Sequence, residues 1–129
     1  MTPEITFTNG IEIEELYADN GLIYYHFMKT DKHLILTVDL NKRLAVTSIE
    51  NIPEATREIG ITTMLYQKAL SIIRELANAH NTGIYYRFST GDEKMKRWLR
   101  DPYKGMAVLD GAVIKNTPTG IEAVLEINP

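Results

Sequence analysis

The stretch Arg57-Glu58-Ile59-Gly60-Ile61-Thr62-Thr63-Met64-Leu65 marks the point where the periodicity of the chain changes. Before it, apolar residues alternate with polar ones; after it, they recur every three or four positions. Pro53 breaks the strand pattern that ends near Asn51, because proline has no N–H to give to a β-ladder. From about Gly60, the residues Ile61, Leu65, Ala69, Ile72, Ile73, Leu76 and Ala77 fall on one helical face. Gln67, Ser71, Arg74, Glu75 and Asn78 fall on the other. This spacing predicts an amphipathic helix of about five turns. It ends near His80-Asn81-Thr82-Gly83, where Gly83 suits the chain reversal.

A helix that starts here leaves its first backbone N–H groups without partners and carries partial positive charge at that end. Such a terminus suits a phosphate. Gly60 places no Cβ in the way of an anion, Thr62 and Thr63 offer hydroxyl donors, and Arg57 offers a charge-assisted contact.

Working back toward the N-terminus, Ile5–Phe7 and Ile11–Ile13 flank Asn9-Gly10, a favoured hairpin pair. Leu22–Lys29 sets Ile23, Tyr25 and Phe27 on one face; His33–Leu40 does the same with Leu34, Leu36, Val38 and Leu40; Leu44–Ile49 follows. These alternations predict an antiparallel meander. Beyond the long helix, Ile84–Phe88 is apolar apart from Arg87. A strand reached through a crossover helix is expected to be parallel and central. A second helix is expected from about Asp92 to Arg100, before Pro102. Met106–Leu109 and Ala112–Ile114 flank Asp110-Gly111 and read as a further hairpin, and Ile121–Ile127 as the last strand. The 129 residues suit one domain. The expected fold is α/β (α+β): a mixed, mostly antiparallel sheet with a central parallel strand pair and two main helices.

Composition narrows the function. A formal charge of −3 gives no footing for non-specific nucleic-acid binding. The lack of cysteine excludes a structural disulfide, a thiolate metal site and a cysteine nucleophile. His26, His33 and His80 have no metal-ligand spacing, so no metal centre is expected. No run approaches the roughly 18 apolar residues of a membrane span. Met1-Thr2-Pro3-Glu4 does not open a basic-then-apolar leader. A cytoplasmic protein with no membrane partner is expected, and exposed strand edges make a homodimer the expected assembly.

Arg57-x-x-Gly60-x-Thr62, with Leu65 beyond it, resembles the coenzyme-A loop of the GNAT superfamily of N-acetyltransferases, usually Gln/Arg-x-x-Gly-x-Gly/Ala. The flanking order of strand, long helix, apolar strand and second helix is similar too, over roughly Tyr24–Ile127. The resemblance implies an acyl-CoA N-acyltransferase-like fold, here without the family's two N-terminal helices. It also implies that acetyl-CoA or coenzyme A is bound and that the acceptor is a small-molecule or peptide amine. The pyrophosphate would meet Arg57, Ile59, Gly60, Ile61, Thr62 and Thr63. The pantetheine arm would lie in a splay between the family's fourth and fifth strands, here Leu44–Asn51 and Ile84–Phe88. A backbone N–H near Ile49 to Asn51 would polarise the thioester carbonyl, which brings Asn51 and Ile52 into the cofactor site. Asp92 stands where the family's second helix has Asn. Thr62 replaces the usual Gly or Ala, and Leu99 occupies the position of a Tyr that often serves as general acid.

Among the side chains, Glu50 is the candidate base, because it ends a strand beside the expected cofactor site; Glu54 lies near it. Tyr103, just past the second helix, is the candidate proton donor to the leaving thiolate, with Tyr66 of the long helix as the alternative. Tyr66 reads as a packing residue that flanks the cofactor, and Trp98 as core. The doublets Tyr24-Tyr25 and Tyr85-Tyr86 place one ring on each side of a strand. The competing expectation is a catalytically inactive relative that uses the fold for binding or oligomerisation, which Thr62, Leu99 and the absent N-terminal helices favour.

Overall fold

The structure, a computed structural model, describes residues 4–8, 10–17, 19–29, 32–50 and 59–129, with backbone alone at 4–8, 17, 19, 50 and 59. The expected meander is present. β1 (Glu4–Thr8), β2 (Ile11–Tyr17), β3 (Leu22–Lys29), β4 (Lys32–Asp39) and β5 (Leu44–Glu50) follow one another in antiparallel pairs. Gly10 turns β1 into β2 with φ 76°, a left-handed conformation that costs glycine little. Asp39 turns β4 into β5: its Oδ1 accepts the N–H groups of Asn41 at 3.0 Å and Lys42 at 3.1 Å, a local bond that mimics a backbone turn.

Helix α1 (Ile59–His80) then crosses over to β6 (Ile84–Thr90). Its apolar stripe is the expected one, with Ile61, Leu65, Ala69, Ile72, Ile73, Leu76 and Ala77 all buried. The reversal at its end differs from expectation. The left-handed residue is Asn81, at φ 47°, and Thr82 N–H returns to the Ala77 carbonyl at 3.1 Å. Asparagine tolerates this conformation, so Gly83 is not the pivot.

Helix α2 (Glu93–Arg100) is followed by a four-residue helix, α3 (Gly105–Val108). β7 (Val113–Thr117) and β8 (Gly120–Ile127) complete the chain. The hairpin expected around Asp110-Gly111 is therefore displaced. Leu109 N–H bonds to the Gly105 carbonyl at 2.8 Å, which makes the preceding run helical. Gly111, at φ 90°, leads from that helix into β7. The close approach of the backbone fixes this arrangement, since a Cβ on Gly105 would lie 2.5 Å from Leu99 Cα.

Among the described residues the strands form one eight-stranded sheet in the order β1-β2-β3-β4-β5-β6-β8-β7. Among the described residues only β5 and β6 pair in parallel. α1 packs across β3, β4 and β8, and α2 reaches the same layer through Trp98, whose ring lies 4.7 Å from Tyr66 and 6.0 Å from Phe88. The helices thus cover one face. Tyr25 and Tyr86 turn into it, while their neighbours Tyr24 and Tyr85 stay exposed on the bare face with Leu16 and Val46. Among the described residues no helix is long and apolar enough to cross a membrane.

Candidate functional site

Pairing between β5 and β6 covers only Leu44↔Tyr85, Ala45↔Tyr86 and Val46↔Arg87. Both strands continue past it, and each stays attached to its outer neighbour. β5 keeps register with β4 as far as His33↔Glu50, and β6 with β8 as far as Thr90↔Ile121. The sheet therefore parts between two intact antiparallel ribbons. Tyr85 N–H donates to the Arg43 carbonyl at 2.9 Å. Because backbone groups alternate in direction along a paired strand, Ala45, Thr47 and Ile49 turn theirs toward β6, and Arg87 and Ser89 toward β5. The ladder ends at Val46↔Arg87, which leaves the N–H groups of Ile49 and Ser89 facing the gap.

The gap opens a cavity of about 380 Å³, within the size range of small-molecule sites. Thr47, Ser48 and Ile49 form one wall, and Phe88, Ser89 and Thr90 the other. Tyr66 of α1 and the turn into α2, Gly91, Asp92 and Met95, complete it. Ser48 and Ser89 are exposed on the bare face, whereas Phe88 is buried beneath the helices, so the opening runs through the sheet.

On the helix side the cavity meets an aromatic cluster, with Tyr66 5.6 Å from Phe88 and 4.7 Å from Trp98. Three hydroxyls gather there. Thr47 Oγ1 lies 2.6 Å from Tyr86 Oη, and Tyr66 borders the same cavity as Thr47. Burial raises the pKa of both tyrosines well above the usual phenol value, and the Thr47 bond opposes this only in part. Both rings therefore keep their protons at neutral pH.

At the start of α1, Gly60 is exposed, and a Cβ there would meet nothing within 4 Å. Among the described residues nothing occupies the space that a side chain at this position would fill. Ile61 and Thr62 are buried. The hydroxyls of the two threonines already accept bonds within the chain: Thr62 Oγ1 from Lys32 Nζ at 2.6 Å, and Thr63 Oγ1 from Trp98 Nε1 at 3.0 Å. The second bond ties the first turn of α1 to α2. Lys32, only 2% exposed, escaped the sequence reading because lysine at a strand start is normally solvated.

Of the other expected site residues, Asn51, Ile52 and Arg57 lie outside the described residues, as does Glu54. Ile59 opens α1, and Glu50 ends β5 opposite His33. Asp92 borders the cavity, but its carboxylate serves as the α2 cap, accepting Met95 N–H at 3.1 Å. Tyr103 is 90% exposed and is not a wall of the cavity, and Leu99 is fully buried. The structure thus brings Asp92 to the gap and leaves Tyr103 off it.

Sequence alone did not single out Thr47 or Tyr86 as site residues, and it gave no contact between the histidines. The β3–β4 register sets His26 Nε2 2.7 Å from His33 Nδ1, with ring centroids 4.9 Å apart. Among the described residues, no group of three or more His, Cys, Asp or Glu side chains is placed to hold a metal ion. Comparison of the chain with protein-family models, with curated proteins and with solved structures finds no match, so the functional reading rests on the residues themselves.

Proposed function

We propose that this chain has an acyl-CoA N-acyltransferase-like fold of the GNAT kind and transfers an acetyl group from acetyl-CoA to a small-molecule or peptide amine. The observation that carries this reading is the parting of β5 and β6 beyond Val46↔Arg87. These are the two strands between which the resemblance implies a pantetheine arm. The start of α1 gives support, since a helix N-terminus suits a pyrophosphate and, among the described residues, a Cβ on Gly60 would meet nothing within 4 Å. Lys32 Nζ lies beneath the same turn, at Thr62.

In this reading the Ile49 N–H donates to the thioester carbonyl and polarises it. Glu50 takes the proton of the acceptor amine, the amine nitrogen bonds to the carbonyl carbon, the C–S bond breaks, and the leaving thiolate takes up the proton that Glu50 accepted. The exposed Tyr103 and the buried Leu99 favour a second reading, a relative that binds coenzyme A without turnover.

A thermal-shift titration separates these readings, because a ligand that binds only the folded state raises the melting temperature. Acetyl-CoA is expected to raise it, and Gly60→Glu to abolish the rise while circular dichroism stays native. No shift at millimolar coenzyme A ends both readings. A shift without thiol release across an amine panel selects the inactive binder.

A further inference from the structure

Among the described residues the helices leave one face of the sheet uncovered, and the strand registers draw a single row across it. Leu16 lies opposite Tyr24, Tyr24 opposite Thr37, Thr37 opposite Val46, Val46 opposite Arg87, Arg87 opposite Val124 and Val124 opposite Val113. Directly paired residues point to the same side of a sheet, so the row crosses seven neighbouring strands on one face. Leu16, Tyr24, Val46 and Val113 are 36%, 37%, 37% and 71% exposed. Large apolar groups left open in one contiguous patch mark an interaction surface.

The row has a centre. Val46 stands on β5, with three strands of the row on either side. Outward from it each side runs polar, apolar, apolar: Thr37, Tyr24, Leu16 one way and Arg87, Val124, Val113 the other. A second copy turned about a two-fold axis along β5 therefore sets Val46 on Val46, Thr37 on Arg87, Tyr24 on Val124 and Leu16 on Val113. Every contact but the axial one occurs twice, as a two-fold interface requires. The next row agrees in charge, since the same rotation brings Glu14 to Lys115 and His26 to Glu122. Aligned sheets pack about 10 Å apart with their strands offset by about 30°, so the match is tightest at the axis.

We infer that a second copy of this chain covers this face, as two sheets packed face to face about a two-fold axis at Val46. The size suits it. Seven strands about 4.8 Å apart, with about six residues each at about 3.3 Å, span roughly 30 by 20 Å. A corrugated face of that footprint offers on the order of 800 Å², the share that each partner of a stable interface buries. The dimer thus forms through the sheet face rather than through strand edges. Ser48 lies two residues beyond Val46 on the same strand and borders the gap, so the second copy also closes the bare-face mouth of the gap. The inference goes beyond the acyl-CoA reading and does not depend on it.

Sedimentation velocity of the full chain across the micromolar range tests this, with circular dichroism to confirm folding. Wild type is expected to sediment at twice the chain mass of 14.7 kDa. Val46→Lys sets two ammonium groups against each other on the axis and is expected to halve the mass to that of the monomer. Tyr24→Lys, as exposed but two strands from the axis, is expected to do the same, and it carries the test if Val46→Lys does not fold. Ile114→Lys places a charge on the opposite face of β7, at a side chain 38% exposed, and is expected to leave the dimer intact. The inference is overturned if wild type is a monomer throughout, which leaves the face to a partner of another kind. It is also overturned if folded Val46→Lys or Tyr24→Lys stays dimeric, or if Ile114→Lys yields the monomer while Val46→Lys does not, which moves the contact to the β7 edge. Failure of the dimeric wild type to bind acetyl-CoA removes the reading of the gap and leaves this inference standing.

Discussion

Strands β5 and β6 are paired at one end and parted at the other, and the two ends differ in what holds them. In the paired half, Ala45 is fully buried under the helix layer, and its single methyl lets that layer close over a short parallel ladder. In the parted half the corresponding space holds the rings of Tyr66 and Phe88, 5.6 Å apart, beside Thr47 and Ile49. Each strand there follows its outer neighbour. Glu50 stays with His33 and Thr90 with Ile121. The gap is therefore held open by hydrogen bonds formed elsewhere, and it presents ordered backbone donors rather than a frayed edge.

The strongest way to break this arrangement is to dislodge the end of β6 from β8. A Cβ on Gly120 would lie 2.0 Å from the Thr90 carbonyl oxygen, a backbone clash that only a strand shift can relieve. Gly120→Ala is expected to cost about 3 kcal/mol, read from the urea midpoint. A loss below about 1 kcal/mol would mean that β6 moves easily and that its position does not define the gap.

The two buried tyrosines, Tyr66 and Tyr86, give the next effect. The folded state holds the pKa of Tyr66 and Tyr86 above the unfolded value of about 10. Below that pH both states are protonated and the stability is fully present. Above it the unfolded chain releases protons that the folded chain keeps, so stability falls by about 1.4 kcal/mol per pH unit for each tyrosine. Denaturation between pH 8 and 11 is expected to show this loss, with a shallower slope in Tyr66→Phe. Equal slopes would show that Tyr66 ionises as freely folded as unfolded.

A smaller effect sharpens the comparison at the exit of the gap. Asp92→Ala removes the cap of α2 and is expected to cost about 1 kcal/mol. If it weakens acetyl-CoA binding beyond what that stability loss explains, Asp92 contacts the ligand as well as the helix.

Much of this was legible in the sequence where a pattern repeats. The alternation through Leu22–Lys29 and the stripe from Ile61 to Ala77 gave the meander and the crossover helix, because burial of one face imposes those periods. Met106–Leu109 reads as a strand although Gly105–Val108 is helical, since four residues are too few to reveal a helical period and an Asp-Gly turn can follow a helix as well as a strand. The grouping of Thr47, Tyr66 and Tyr86 left no trace. Thr47, Tyr66 and Tyr86 sit on β5, α1 and β6, and only the packing of α1 over the parted strands brings them together. His26 and His33 met for a similar reason, since their contact depends on the register of the β3–β4 hairpin, which spacing alone does not set. The position of the gap was anticipated through the family resemblance rather than through any period in the residues.

The parting of β5 and β6 as a ligand site is tested most directly by following backbone amides in a nitrogen-15-labelled protein as acetyl-CoA is added. The largest shifts are expected at Ile49 and Ser89, whose N–H groups face the gap, with Tyr85 and Arg87 in the paired half nearly still. Shifts concentrated elsewhere, or none at millimolar ligand, would contradict it.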